Sequence, residues 1–238
     1  EGTSPFDSHS LTVSSDSMGT LVFHGEGGSS AQSAIDGSAA GDIWDSFDGD
    51  VTGDVVISSS ATSDNMIVYT TPAIMDGLSL SASYVPTAST TDSATAWAAT
   101  YTGVEGLSVS YGVGDGNSTA NDTDATSMKA SYAYGPVTVA YSNHEFDTNA
   151  SNGDQEMDSY KVSYTVSDEL SISYEQEKSE PTLKTSSTTV YDLESTGLQA
   201  AYTMGGMTLA IAMNDHENVQ YSNAKDVKDT VFSVAMAF

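Results

Sequence analysis

Carboxylates are the side chains of this sequence whose clustering could do chemistry. Asp36, Asp42, Asp45, Asp48, Asp50 and Asp54 fall within one irregular stretch, residues 27–64, and Glu26 stands at its entrance. The stretch is rich in Gly, Ser and Ala, with Ile35, Ile43, Trp44 and Phe47 as its larger apolar anchors. Carboxylates held in a narrow aqueous passage with low-dielectric walls focus the field and favour cations over anions. Asp45, Asp48 and Asp50 are also close enough in sequence to share a Ca²⁺, a hard cation that takes several oxygens, although their spacing is not that of an EF-hand. No other cofactor is expected. The four histidines (His9, His24, His144 and His216) are scattered, with no i, i+4 metal pair and no motif that sets one beside a nucleophile. G-x-S-x-G is absent, and Gly112, Gly114 and Gly116 open no helix, so they form no nucleotide site. An enzyme is therefore not expected.

The elements that would position these acids are strands. Alternation of apolar and polar residues marks thirteen segments: 9–15, 20–26, 65–71, 78–85, 94–101, 107–113, 126–134, 137–146, 158–166, 170–178, 194–203, 207–214 and 228–238. In the tenth, Leu170, Ile172 and Tyr174 oppose Ser171, Ser173, Glu175 and Glu177; in the last, Phe232, Val234, Met236 and Phe238 oppose Ser233, Ala235 and Ala237. Short turns of Gly, Asp and Pro alternate strictly with long polar connections, of which residues 27–64 are the longest. Short turns on one rim and long loops on the other, with tyrosines near strand ends, describe a transmembrane antiparallel β-barrel. A structureless connection of about forty residues in a compact domain is usually a working part, and here it is expected to fold back into the barrel and narrow the pore. Strand parity turns His24, Lys129, Lys161, His144, Glu175, Glu177 and Gln199 toward the lumen, where Lys129 and Lys161 could oppose the acidic loop. A soluble antiparallel sandwich with one wet face per sheet remains the alternative that periodicity alone leaves open.

Composition narrows the partners. Of 238 residues, 33 are acidic and six basic, for a formal charge of -27. All six basic residues are lysines, which excludes nucleic acid as a partner, because neutralising phosphates needs clustered Lys and Arg. Cysteine is absent, so neither disulfides nor Cys-ligated metals arise. The chain opens without a charged n-region and apolar h-region, and no run approaches the ~20 apolar residues of a membrane helix. Strand parity adds one expectation. The first and thirteenth strands run in the same direction and cannot pair antiparallel, and an open edge in lipid leaves backbone groups unsatisfied. An odd number of further strands, three for a total of sixteen, is expected before Glu1.

The segment VSSDSMGTLVFHGEGGSSAQSAIDG, followed by a long acidic stretch and the strand NMIVYTTP, resembles the general porins of Gram-negative outer membranes, closest to the alphaproteobacterial type. The terminal VFSVAMAF, ending in Phe238, is similar to the signal read by the outer-membrane insertion machinery. The similarity spans the chain as a pattern, with these segments its sequence-specific parts. It implies a single barrel domain over residues 1–238, a homotrimer, a constriction loop folded into the pore, and contact with outer-membrane lipid and lipopolysaccharide. It also implies passive diffusion of small hydrophilic solutes, for which the acidic balance points to cation preference. The chain departs from the family in lacking its first strands and any arginine. The basic cluster that faces the family's acidic loop is thus an open point. A substrate-specific channel and an adhesin-like surface protein are the competing functions.

Overall fold

The computed structural model describes residues 8–35, 37–41, 43, 64–86, 93–116, 123–148, 154–182, 189–223 and 225–236. They form one antiparallel sheet of 13 strands, each hydrogen-bonded to its neighbours in sequence. The strands are β1 (His9–Ser15), β2 (Gly19–Glu26), β3 (Met66–Thr70), β4 (Leu78–Val85), β5 (Ala94–Tyr101), β6 (Leu107–Gly116) and β7 (Thr123–Tyr134). They continue with β8 (Val137–Thr148), β9 (Asp154–Thr165), β10 (Leu170–Thr182), β11 (Leu193–Met204), β12 (Met207–Glu217) and β13 (Val227–Met236). The outer strands β1 and β13 run in the same direction and the sheet is not closed between them. Apart from a 3-10 turn at Val219–Tyr221, the described residues contain no helix that the structure names. The short turns rely on glycine where the chain reverses. At Gly106 φ is +77°, and a Cβ there would sit 2.3 Å from the Ala133 carbonyl oxygen.

All thirteen expected strands are present, but six of them run further than their hydrophobic alternation. β6, β7, β8, β9, β10 and β12 each extend two to four residues past the expected end, always on the long-loop side. The outward row of β9 explains why. It reads Tyr164, Val162 and Tyr160 and then turns to Asp158 and Glu156, while pairing with β8 and β10 continues without a break. Backbone hydrogen bonding does not depend on what the side chains face, so the ladder carries on where the lipid, and with it the apolar signal, has ended.

The faces decide between membrane barrel and sandwich. Large apolar side chains point away from the protein: Trp97 is 64% exposed, Leu198 55% and Phe232 76%. The opposite face is polar, and many of its side chains are buried, among them Ser127, Ser142, Ser159, Glu175, Glu177, Ser195 and His216. A water-soluble sandwich would do the reverse, because burying polar groups while exposing apolar ones is unfavourable in water. Stacked Tyr132 and Tyr134 near the short-turn rim, and Tyr141 against Tyr160 toward the other, mark the two ends of the apolar band.

The outward face should therefore reject charge. Leu198→Arg is expected to destabilise the folded protein by ~2–4 kcal/mol, with Ser233→Arg on the wet face within ~0.5 kcal/mol of the parent. Denaturant titration of the protein in lipid vesicles measures both.

Candidate functional site: a loop docked on the inner wall

Strand register builds continuous rows of side chains across the inner face. One row runs Lys129, Ser142, Ser159, Glu177, Ser195 and His216, one residue from each strand β7 to β12. Between Lys129 and His216 the row is small hydroxyls around a carboxylate, and these match what an inserted backbone needs. N–H groups withdrawn from water must find acceptors, and a serine hydroxyl supplies one without filling the space the chain occupies.

The segment after β2 takes that offer. Its Ser30, Ala31, Gln32, Ile35, Ser38, Ala39, Ala40 and Ile43 are buried against the wall. Ala31 N donates to Ser83 Oγ of β4 at 3.0 Å, and Gln32 Nε2 donates to Ser127 Oγ of β7 at 2.8 Å. Further along, Ala39 N donates to Ser142 Oγ of β8 and Ala40 N to Ser159 Oγ of β9, each at 2.9 Å. Glu177 of β10 then accepts from Ile43 N at 2.8 Å and from the Ser38 hydroxyl. Successive parts of the segment thus meet successive strands. Gly112 makes room for it: a Cβ there would lie 2.9 Å from Ile35 Cδ1 and 3.1 Å from Gln32 Cα.

The two inward lysines serve the same docking. Lys129 Nζ donates to the Gly37 carbonyl at 3.1 Å, and Lys161 Nζ reaches the Ala40 carbonyl at 3.4 Å. Lys161 also pairs at 2.6 Å with the fully buried Glu175. Glu175 further accepts from Ser173 Oγ at 2.8 Å and Gln199 Nε2 at 2.5 Å. A buried carboxylate with three partners is held in place, because its lone pairs are matched and its charge is opposed.

Of the acids expected at a constriction, Asp36, Asp42, Asp45, Asp48, Asp50 and Asp54 lie outside the described residues. So does the Ca²⁺ set Asp45, Asp48 and Asp50; among the described residues no three His, Asp or Glu side chains could hold a metal ion. Glu26 is described and half-buried, opposite His9 across β1 and β2. His24 packs its ring where a Cβ on Gly28 would fall, at the start of the inserted segment. His144 Nδ1 sits 2.9 Å from Ser127 Oγ, behind the hydroxyl that receives Gln32. One juxtaposition is absent from the sequence reading: His216 Nδ1 lies 2.8 Å from Ser195 Oγ, with Asp229 4.0 Å from Nε2. The three residue types are those of a hydrolytic triad. However, Ser195 and His216 are fully buried in the wall, out of reach of any substrate, so the group ties β11 to β12. The serine rungs Ser83, Ser127, Ser142 and Ser159 were also missed as individuals. Their parity was legible, but their partners lie 17 to 119 residues away in sequence.

Comparison with known proteins agrees with this geometry. An anion-selective porin from Comamonas acidovorans superposes with a TM-score of 0.65 at 14% identity, covering 98% of this chain and 78% of that one. OmpF of Salmonella typhi, solved with daunomycin, gives 0.66 at 12% identity over 94% and 76% of the two chains. A further porin, refined at 1.8 Å, gives 0.62 at 17% identity over 96% and 80%. No curated protein sequence matches the chain significantly. The sequence model of the Gram-negative porin family matches residues 3–238. With an inward-docked loop, a wet inner wall and an apolar exterior, the chain belongs to the Gram-negative porin family and resides in the outer membrane.

Proposed function

We propose that this porin is a general diffusion channel, passing small hydrophilic solutes and ions down their gradients through a water-filled pore constricted by residues 27–64. The observation that carries the proposal is the docking of that segment. Its described residues Ala31, Gln32, Ala39, Ala40 and Ile43 are hydrogen-bonded to the inner faces of β4, β7, β8, β9 and β10, so this part occupies cross-section that would otherwise be open. A chain fastened at this many points narrows a passage without a binding step, which suits selection by size and charge. Homotrimerisation, and the alphaproteobacterial type suggested by residues 13–37, belong to the same proposal. Outer-membrane lipid and lipopolysaccharide would surround the apolar band.

The way the positive charges are used supports a preference for cations. Both inward lysines on β7 and β9 are turned to loop carbonyls, and Lys161 is opposed by Glu175. The chain has no arginine to build a basic wall. The Comamonas porin is described as anion-selective, so this fold does not by itself fix the sign.

Under a KCl gradient in a planar bilayer, the reversal potential should take the sign of K⁺ permeation; Cl⁻ preference would refute the cation assignment. Glu177→Gln weakens the charge-assisted bonds from Ile43 N and the Ser38 hydroxyl, a loss of roughly 1.5–3 kcal/mol from the docked state. Single-channel conductance should rise and become noisier, with Ser142→Ala following in the same direction by less. Unchanged traces for both would remove the docked segment as the determinant of pore width.

A further inference from the structure

The connection between β12 and β13 carries backbone geometry that nothing above explains. Asn218, Gln220 and Tyr221 adopt left-handed φ of 57°, 58° and 53°. Asparagine tolerates this region, but glutamine and tyrosine are disfavoured there, so the surroundings must hold the turn in place.

Those surroundings lie on the inner wall. Val219 is fully buried against Met157 and Leu193, with Tyr221 and Val227 packed around them. The Tyr221 hydroxyl accepts from Gln155 Nε2 at 3.0 Å and shares a 3.1 Å hydrogen bond with Ser179 Oγ. The Tyr221 carbonyl accepts from Tyr191 N at 3.2 Å, and Asn218 Nδ2 donates to the Asp192 carbonyl at 2.9 Å. The turn therefore folds inward, like the larger loop.

Its footprint falls at a telling place. Met157, Ser179 and Leu193 form one row across β9, β10 and β11. The neighbouring inward row, two residues along each strand, is Ser159, Glu177 and Ser195, where Ala40, Ser38 and Ile43 of the docked segment are fastened. The turn lies on the long-loop side of that anchorage, between it and the rim. Glu177 is fully buried, and the turn packs on the adjacent row. Hydrogen bonds to a carboxylate weaken where water can compete, so a cover over the rim side strengthens the anchor.

We infer that the turn at residues 218–223 is a keeper for the constriction: it positions the docked segment by sealing the Glu177 anchor from the outer mouth. It is held against its own backbone preference by these contacts, so loss of one of them favours release. Release would loosen the loop as well as widen the rim. The inference rests on the constriction reading above and adds to it a second element, remote in sequence, that sets pore width.

Single-channel recording of the full chain in planar bilayers tests this, with heat-modifiable migration in detergent confirming a folded barrel for each variant. Tyr221→Phe removes the hydroxyl shared with Gln155 and Ser179, and the ratio of time in larger-conductance states to the main state should rise about fivefold. Gln220→Gly relieves the left-handed strain and should lower that ratio, an effect that mere loss of structure would not produce. The double variant Tyr221→Phe/Glu177→Gln should open no more often than Glu177→Gln alone, because both act through one contact. Additive effects would overturn the coupling. A folded Tyr221→Phe variant with parental dwell times, beside a Glu177→Gln variant that opens, would overturn the keeper and leave the constriction standing. Silence of both would overturn both.

Discussion

The structure depends on satisfying a backbone in a place where water is scarce. The described residues between Gly27 and Ile43 enter a protein interior with only isolated turns to pair their own backbone, such as Ala34 N to the Ser30 carbonyl, and each buried group left unmatched would cost ~1–3 kcal/mol. The wall answers with inward side chains of five strands: Ser83, Ser142 and Ser159 for backbone amides, Ser127 for the Gln32 side-chain amide, Lys129 and Lys161 for carbonyls, and Glu177 for the Ile43 N–H and the Ser38 hydroxyl. Remove that complementarity and the segment has no reason to lie where it does. The course of the loop is thus written in the register of the sheet as much as in the loop.

The same requirement explains why the inner wall is built of small residues. A loop lying flat on a sheet needs clearance of one side chain or less. Gly112 gives it where Ile35 and the Gln32 backbone press closest. Serine is the smallest side chain that also offers a hydrogen bond, so the wall can be both thin and adhesive. Among the described residues of the segment, the buried apolar side chains are Ile35, Ile43 and a few alanines. Where an ordinary domain is held by a greasy interior, this one puts its apolar surface toward lipid and holds its interior with hydrogen bonds. Those are worth more there than in water because the local dielectric is low.

How much of this was legible follows from period and range. Alternation with period two located every strand, since one face of each meets lipid over a defined height. Beyond that height it fell silent, which is why Asp154, Gln155 and Glu156 of β9, or Glu180 and Pro181 of β10, looked like loop although they continue the ladder. Parity also put Lys129, Lys161, His144, Glu175, Glu177 and Gln199 on the inner face. It could not say that Glu177 would receive Ile43 N across 134 residues, because no local pattern encodes which rung a distant loop will choose. The inward turn at Val219 was hidden for a related reason. A single valine between Asn218 and Gln220 in a polar connection carries no periodic signal, and its burial depends on Met157 and Leu193 from other strands.

The charges that matter for transport can be separated from those that matter for architecture. Lys161 and Glu175 neutralise one another at 2.6 Å, Lys129 is turned to a loop carbonyl, and Glu177 is enclosed by its donors. None of these presents an unopposed charge to an ion. On the outward face of the long-loop rim, by contrast, Glu145, Asp147, Asp154 and Glu156 surround one hollow together with Glu180, which Lys178 opposes at 2.6 Å. Charges in that setting act at a distance through water, and their reach is the Debye length, about 10 Å at 0.1 M salt. Standing above Tyr160 and Val139 in the same outward rows, these acids draw cations to the outside of the rim when the bath is dilute and lose their grip as salt rises. Docking charges buried in the wall keep working at any ionic strength. The fold thereby separates the constancy of its pore width from the salt dependence of its outer field, using the same side-chain chemistry at different depths from water.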